Sequence, residues 1–185
     1  MSAFRILARL LSASVIFALG SPIALSQDNF SPYVDAEGAI SFPDEFRTSM
    51  THLGSWFVPA GGASGFHDVY TEKESVEYYR DHGRFPDGAV LVKELRASKS
   101  GDYSTGAGIH HSTDELKQWF VMIKDTQNRF SGNPIWGDGW GWALFKPDQT
   151  ELNAAKDYKS DCLGCHIPAK QNDWIYIEAY PILTH

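Results

Sequence analysis

Only two cysteines occur in the 185 residues, and they stand three apart near the end of the chain, in Cys162-Leu163-Gly164-Cys165-His166. No disulfide can therefore tie distant parts of the fold together, so stability has to come from an apolar core. The aromatic content, 11 Phe, 8 Tyr and 6 Trp, is enough to build one.

The spacing of the cysteines also carries chemistry. Two thiols separated by two residues in a helical turn can add to the two vinyl groups along one edge of a haem, and the residue that follows is directed at the iron. An imidazole there is a good ligand. A thioredoxin-like redox pair would sit beside a βαβ pattern, which is absent around this motif. Half of a structural zinc site would need a second pair of Cys or His ligands, and no second Cys pair exists. The motif therefore predicts one covalently bound haem c, attached through Cys162 and Cys165 with His166 as iron ligand. Nearly the whole domain precedes it, and no Met follows it. Upstream, Met50, Met122, His52, His67, His82, His110 and His111 could each supply a sixth ligand. Each is individually better read as core filler or surface residue, which leaves an open or water-occupied distal position as the expectation.

Residues 1–26 read as a signal peptide. Arg5 and Arg9 form a basic start, Leu10 to Leu25 an apolar run, and Ala24-Leu25-Ser26 a small-x-small cleavage pattern before Gln27. A membrane anchor is the competing reading, but Gly20-Ser21-Pro22 breaks the run short of the about 20 apolar residues a spanning helix wants. Cleavage would leave a single domain over 27–185, exported to the periplasm, and would take the formal charge from −7 to −9. So acidic a surface argues against nucleic acid or anionic lipid as partner, and it suits a small neutral or cationic ligand or a basic redox partner.

Periodicity predicts an α+β fold, mainly antiparallel sheet packed with a few helices and carrying the haem near its C-terminal end. Residues 28–45 form an irregular lead-in. Strands are expected at Phe66–Tyr70, Ala89–Ala97, Trp119–Lys124, around Trp140–Phe145 and at Trp174–Tyr180. Thr71-Glu72-Lys73-Glu74 has capping-box spacing for a helix running to His82, with Gly83 as its stop. Phe85-Pro86-Asp87-Gly88 is a turn. Ser98–Gly108 reads as a Gly/Ser loop with His110-His111 in a solvated turn after it, Asn133–Gly141 as a Gly- and Trp-rich connection, and Asp148–Tyr158 as helical.

One residue breaks the strand pattern. Alternation puts Ala89, Leu91, Lys93, Leu95 and Ala97 on one side of a strand, with Val90, Val92, Glu94 and Arg96 on the other. Lys93 is alone among apolar neighbours, where an ammonium is costly unless paired or deprotonated. An edge position that lets its stem snorkel to water and a place in the haem pocket both answer the pattern.

The ordered set Phe85-Pro86-Asp87-Gly88, Val92-Lys93-Glu94-Leu95, Lys124-Asp125 with Arg129-Phe130, Trp140 to Asp148, Cys162-Leu163-Gly164-Cys165-His166 and Tyr180-Pro181-Ile182-Leu183 resembles the cytochrome P-460 family, from about Phe42 to Leu183. The resemblance implies a periplasmic mono-haem protein, mainly antiparallel β, homodimeric, with a five-coordinate haem. Its hydroxylamine-oxidising members join a lysine covalently to the porphyrin edge, and Lys93 matches that position. They also place a glutamate in the distal pocket, where the matching position here is Phe120. A phenyl ring cannot act as a general base, though Asp114 or Glu115 lies close in sequence. The related β-sheet cytochromes c-prime have apolar distal pockets and bind nitric oxide. Three functions follow: oxidation of hydroxylamine or nitric oxide at an open iron with electrons passed to a soluble redox partner, nitric oxide binding without turnover, or plain electron transfer.

Overall fold

The computed structural model describes residues 30–184. The expected signal peptide over 1–26 therefore lies outside the described residues. Helix α1 (Phe46–Ser49) is followed by strands β1 (Thr51–Val58) and β2 (Gly65–Thr71), helix α2 (Lys73–His82), strands β3 (Val90–Tyr103), β4 (Gly106–Lys124), β5 (Trp136–Gly137) and β6 (Trp140–Phe145), and two short helices, α3 (Tyr158–Asp161) and α4 (Leu163–His166). Three 3₁₀ turns, Ile167–Asn172, Ile177–Ala179 and Pro181–Leu183, complete the order. The strands form one antiparallel sheet in the order β1-β2-β3-β4-β6-β5, so the fold is α+β with few helices, as the patterning implies.

Both faces of the sheet are covered over the length of the apolar strands. Leu91, Met122 and Trp142 pack on one face with Val76, Phe85, Tyr158, Cys162, Trp174 and Tyr180, contributed by α2, the turn after it and the C-terminal segment. Val90, Val92, Val121, Ile123 and Phe145 pack on the other with Ile40 and Phe46 from the lead-in and α1. Two-sided burial explains why Val90-Leu91-Val92 is a continuous apolar run rather than an alternating one. On β1, a Cβ at Gly54 would collide with the Ala179 carbonyl, so glycine lets the C-terminal segment lie directly on the sheet.

Four expectations are corrected. Ser98–Gly108 is not a loop: β3 and β4 continue as a two-stranded arm that turns between Tyr103 and Gly106, and His110 and His111 are strand residues pairing with Ser100 and Lys99. The arm is exposed on both sides and its register shifts at Leu95/Arg96, Arg96/Ser98 and Gly101/Tyr103, which erases any period-2 signal. Asp148–Tyr158 is not a helix. The Asn153 amide oxygen accepts from the Leu144 and Ala155 backbone N–H groups, both at 3.0 Å, and its side chain thereby replaces a strand partner along β6. Trp174–Tyr180 is not a strand but a left-handed kink followed by one 3₁₀ turn, Ile177–Ala179. Thr71 does not cap α2. It ends β2 fully buried, its hydroxyl donating to the Val90 carbonyl at 2.8 Å, and the N-cap is Glu72. Gly83 does end the helix, in the left-handed region at φ 66°.

Candidate haem site

The Cys-x-x-Cys-His motif spans the break between α3 and α4. Cys162 is the hinge, off helical geometry at φ −127°, and Leu163 to His166 make one helical turn. Asp157 caps α3 by accepting from the Lys159 N–H at 2.8 Å, which sets where the turn begins. Cys162 is buried in the core between sheet and C-terminal segment while Cys165 is exposed, and both are free thiols. Burial, and then the Asp161 carboxylate, push the Cys162 thiol up to about 11. A redox-active pair needs a low-pKa thiolate. Cys162 is the opposite.

His166 is oriented by its own backbone surroundings. Nδ1 lies 2.7 Å from the Trp174 carbonyl oxygen, and a carbonyl only accepts, so Nδ1 carries the proton and Nε2 presents a lone pair. Trp142 meets the imidazole edge-on at 5.0 Å between centroids. Tyr176 donates its hydroxyl to the Cys165 carbonyl at 2.5 Å. Burial holds the imidazole down at about 4, against the Trp174 bond, which acts upward. It is thus neutral, the form that binds a metal.

Lys93 shares this neighbourhood. It is half-buried on the sheet face that carries the motif, paired across the ladder with Val69 on β2 and Phe120 on β4. Its Nζ lies 4.0 Å from the centre of the Phe120 ring, and it makes no ion pair or hydrogen bond among the described residues. Burial pushes its ammonium down to about 8, against the opposing pull of Cys165 and Cys162. Its charge in turn depresses His166 and His67. The structure therefore brings together all five residues singled out in the sequence: Cys162, Cys165, His166, Lys93 and Phe120.

The other residues named as possible ligands or proton acceptors separate. Met50 packs on the opposite face, and Met122 is core filler beside Leu91 and Trp142. His52 faces Asp68 and Tyr70, and His82 stacks on Tyr78. His110 and His111 lie on the exposed arm against Phe57 and Tyr103, and Asp114 and Glu115 are exposed in β4 beyond them. His67 shares the Lys93 face, as Met122 does, pairing with Leu95 and hydrogen-bonded to the Ala63 carbonyl at 2.7 Å. Two contributors were not legible in the sequence: the Trp174 carbonyl that orients His166, and the Tyr176 hydroxyl that holds Cys165. A backbone acceptor has no residue signature.

The donor set fits a haem. It supplies two free thiols one helical turn apart, a neutral imidazole with its outer nitrogen available, and an apolar sheet face beside them. A β-sheet domain with these donors is, in class, a cytochrome. A family model described as Cytochrome P460 matches residues 43–177, which include Lys93, Phe120 and the whole motif. The chain belongs to the cytochrome P460 family, haem cytochromes acting on nitrogen species such as hydroxylamine. Comparison with curated proteins gave no match.

Proposed function

We propose that the chain is an exported, periplasmic c-type cytochrome that holds one haem through Cys162 and Cys165, ligates its iron with His166, and oxidises hydroxylamine or nitric oxide at an open iron position. When bound, the haem supplies an iron that accepts a small nitrogen ligand and passes electrons on to a soluble redox partner. The chain's own residues bind, orient and exclude: the Trp174 carbonyl holds His166 as the neutral Nδ1–H tautomer, and Phe120 keeps the Lys93 side apolar. Lys93 is held where its free amine is accessible near neutral pH. With a haem bound, Lys93 would present that free amine as a nucleophile toward the porphyrin edge. Proton acceptance during turnover falls to His67 or to solvent. A homodimer completes the reading.

The observation that supports this most is the unpartnered Lys93 beside the Cys-x-x-Cys-His turn on an otherwise apolar face. Phe120 favours a second reading, capture of nitric oxide without turnover, because the side chain paired with Lys93 has no group that could take a proton.

The decisive measurement is the absorption spectrum of purified protein, oxidised and reduced, with its intact mass. A broadened, red-shifted Soret band and a third covalent link are expected, and Lys93→Ala should return an ordinary c-haem spectrum. Colourless protein of bare polypeptide mass would sink the whole reading. Consumption of hydroxylamine with an artificial oxidant separates turnover from capture: no consumption, with nitric oxide bound by the ferrous form, leaves the second reading.

A further inference from the structure

The Lys124-Asp125 motif has no part in the reading above, yet Lys124 stands where it can act on the proximal side. The Trp174 carbonyl that accepts from His166 belongs to a pair of consecutive non-glycine residues in the left-handed region, Asp173 at φ 58° and Trp174 at φ 68°. Such a residue is strained and persists only where its surroundings hold it. A bulky tryptophan is an unusual occupant.

Asp173 is the point that is held. Lys124, at the end of β4, reaches its carboxylate with Nζ at 2.8 Å. Trp140, on β6, donates Nε1 to the Asp173 carbonyl at 3.0 Å and to its carboxylate at 3.3 Å. Lys124 is closely covered: its side chain is 10% exposed, Nζ lies 4.8 Å from the centre of the Trp140 ring, and a Cβ at Gly139 would come within 3.0 Å of it. The kink is thus tied to two adjacent strands of the sheet through one carboxylate and one carbonyl, one residue before the His166 acceptor.

We infer that Lys124 is a positioning residue for the iron ligand: through Asp173 it fixes the backbone at Trp174, whose carbonyl sets the orientation and donor strength of the His166 imidazole. The inference rests on the proposed ligation by His166. An Nδ1–H bond to a carbonyl raises the basicity of the metal-binding nitrogen, and partners of this kind are worth about 10–100-fold when removed. Without the ammonium, Asp173 and Trp174 can relax toward ordinary backbone angles, the Nδ1 bond lengthens, and the imidazole becomes the weaker donor that favours ferrous iron.

The test uses purified holoprotein, reading the midpoint potential and the ferrous iron–histidine stretching frequency. Lys124→Met keeps the packing on Trp140 but loses the charge. It should lower the frequency and favour the ferrous form about tenfold, about 59 mV upward for a one-electron couple. Lys124→Arg should restore most of both. Asp173→Gly removes the carboxylate at a backbone position glycine tolerates, should shift both in the same direction, and carries the test if Lys124→Met does not fold. Haem-loaded variants with the parent frequency and potential would overturn the inference. A parent without haem would sink the ligation itself, whereas a coloured parent with silent variants would sink only the clamp.

Discussion

Lys93 and Glu94 are neighbours on β3, lie on opposite faces of the sheet, and are satisfied in opposite ways. Glu94 is buried and fully partnered: Arg47 and Arg96 both pair with it, Arg96 through Nε at 2.6 Å, and the Trp119 indole donates to it at 3.0 Å. Among the described residues, Lys93 has the Phe120 ring and no acid. A charge with its partners assembled explains itself as structure. A charge held without them needs a reason outside the fold, and in the proposed function that reason is the haem. The Val-Lys-Glu-Leu motif therefore mixes two roles that only the pleat separates.

The difference can be broken from either side. Glu94→Ala should cost about 3 kcal/mol in urea denaturation, the low end for loss of one member of a buried pair, because Arg47 can turn out to water while the Arg96 Nε and the Trp119 N–H lose their acceptor. Lys93→Met should do the reverse and leave the apoprotein as stable as the parent or more so. A Lys93 loss as large as that of Glu94 would end the distinction. Phe120→Glu gives Lys93 the partner it lacks. It should raise the lysine pKa, change stability by no more than about 1 kcal/mol, and increase hydroxylamine consumption if proton acceptance limits turnover.

The same contrast has a counterpart in the pH dependence. With Lys93 at about 8 in the native state against 10.5 when free, the unfolded apoprotein holds a proton across that window that the native state has released. Stability should therefore rise with pH between about 8 and 10.5, and Lys93→Met should flatten that part of the curve. His166, held down to about 4 from 6.5, works at the other end: stability should fall as pH drops through that interval, because only the unfolded chain takes up the proton.

What could be read without coordinates was whatever the chain repeats locally. Phe66–Tyr70, the Val90-Leu91-Val92 run and Trp119–Lys124 announce strands because burial imposes a pattern on consecutive side chains, and Gly83 marks a helix end because one residue suffices for a left-handed stop. The Cys-x-x-Cys-His motif is legible for the same reason, since its candidate donors lie within five residues. The hairpin arm, exposed on both sides, has no such pattern. In Trp174–Tyr180 the residues Trp174 and Ile175 are both buried through a kink, so the apparent alternation misleads.

By itself, then, the sequence determined the sheet-dominated class, the Cys-x-x-Cys-His turn with its three candidate donors, and that Lys93 is out of place among its apolar neighbours. Those are properties of neighbours in the chain. Only the tertiary structure decided that Lys93 and Phe120 meet across β3 and β4 on the face bearing Cys162 and His166, that Glu94 is neutralised by arginines 47 residues before it and two after it, and that Lys124 anchors the kink at Asp173. Contacts of that kind depend on register and on backbone direction, which no local pattern encodes.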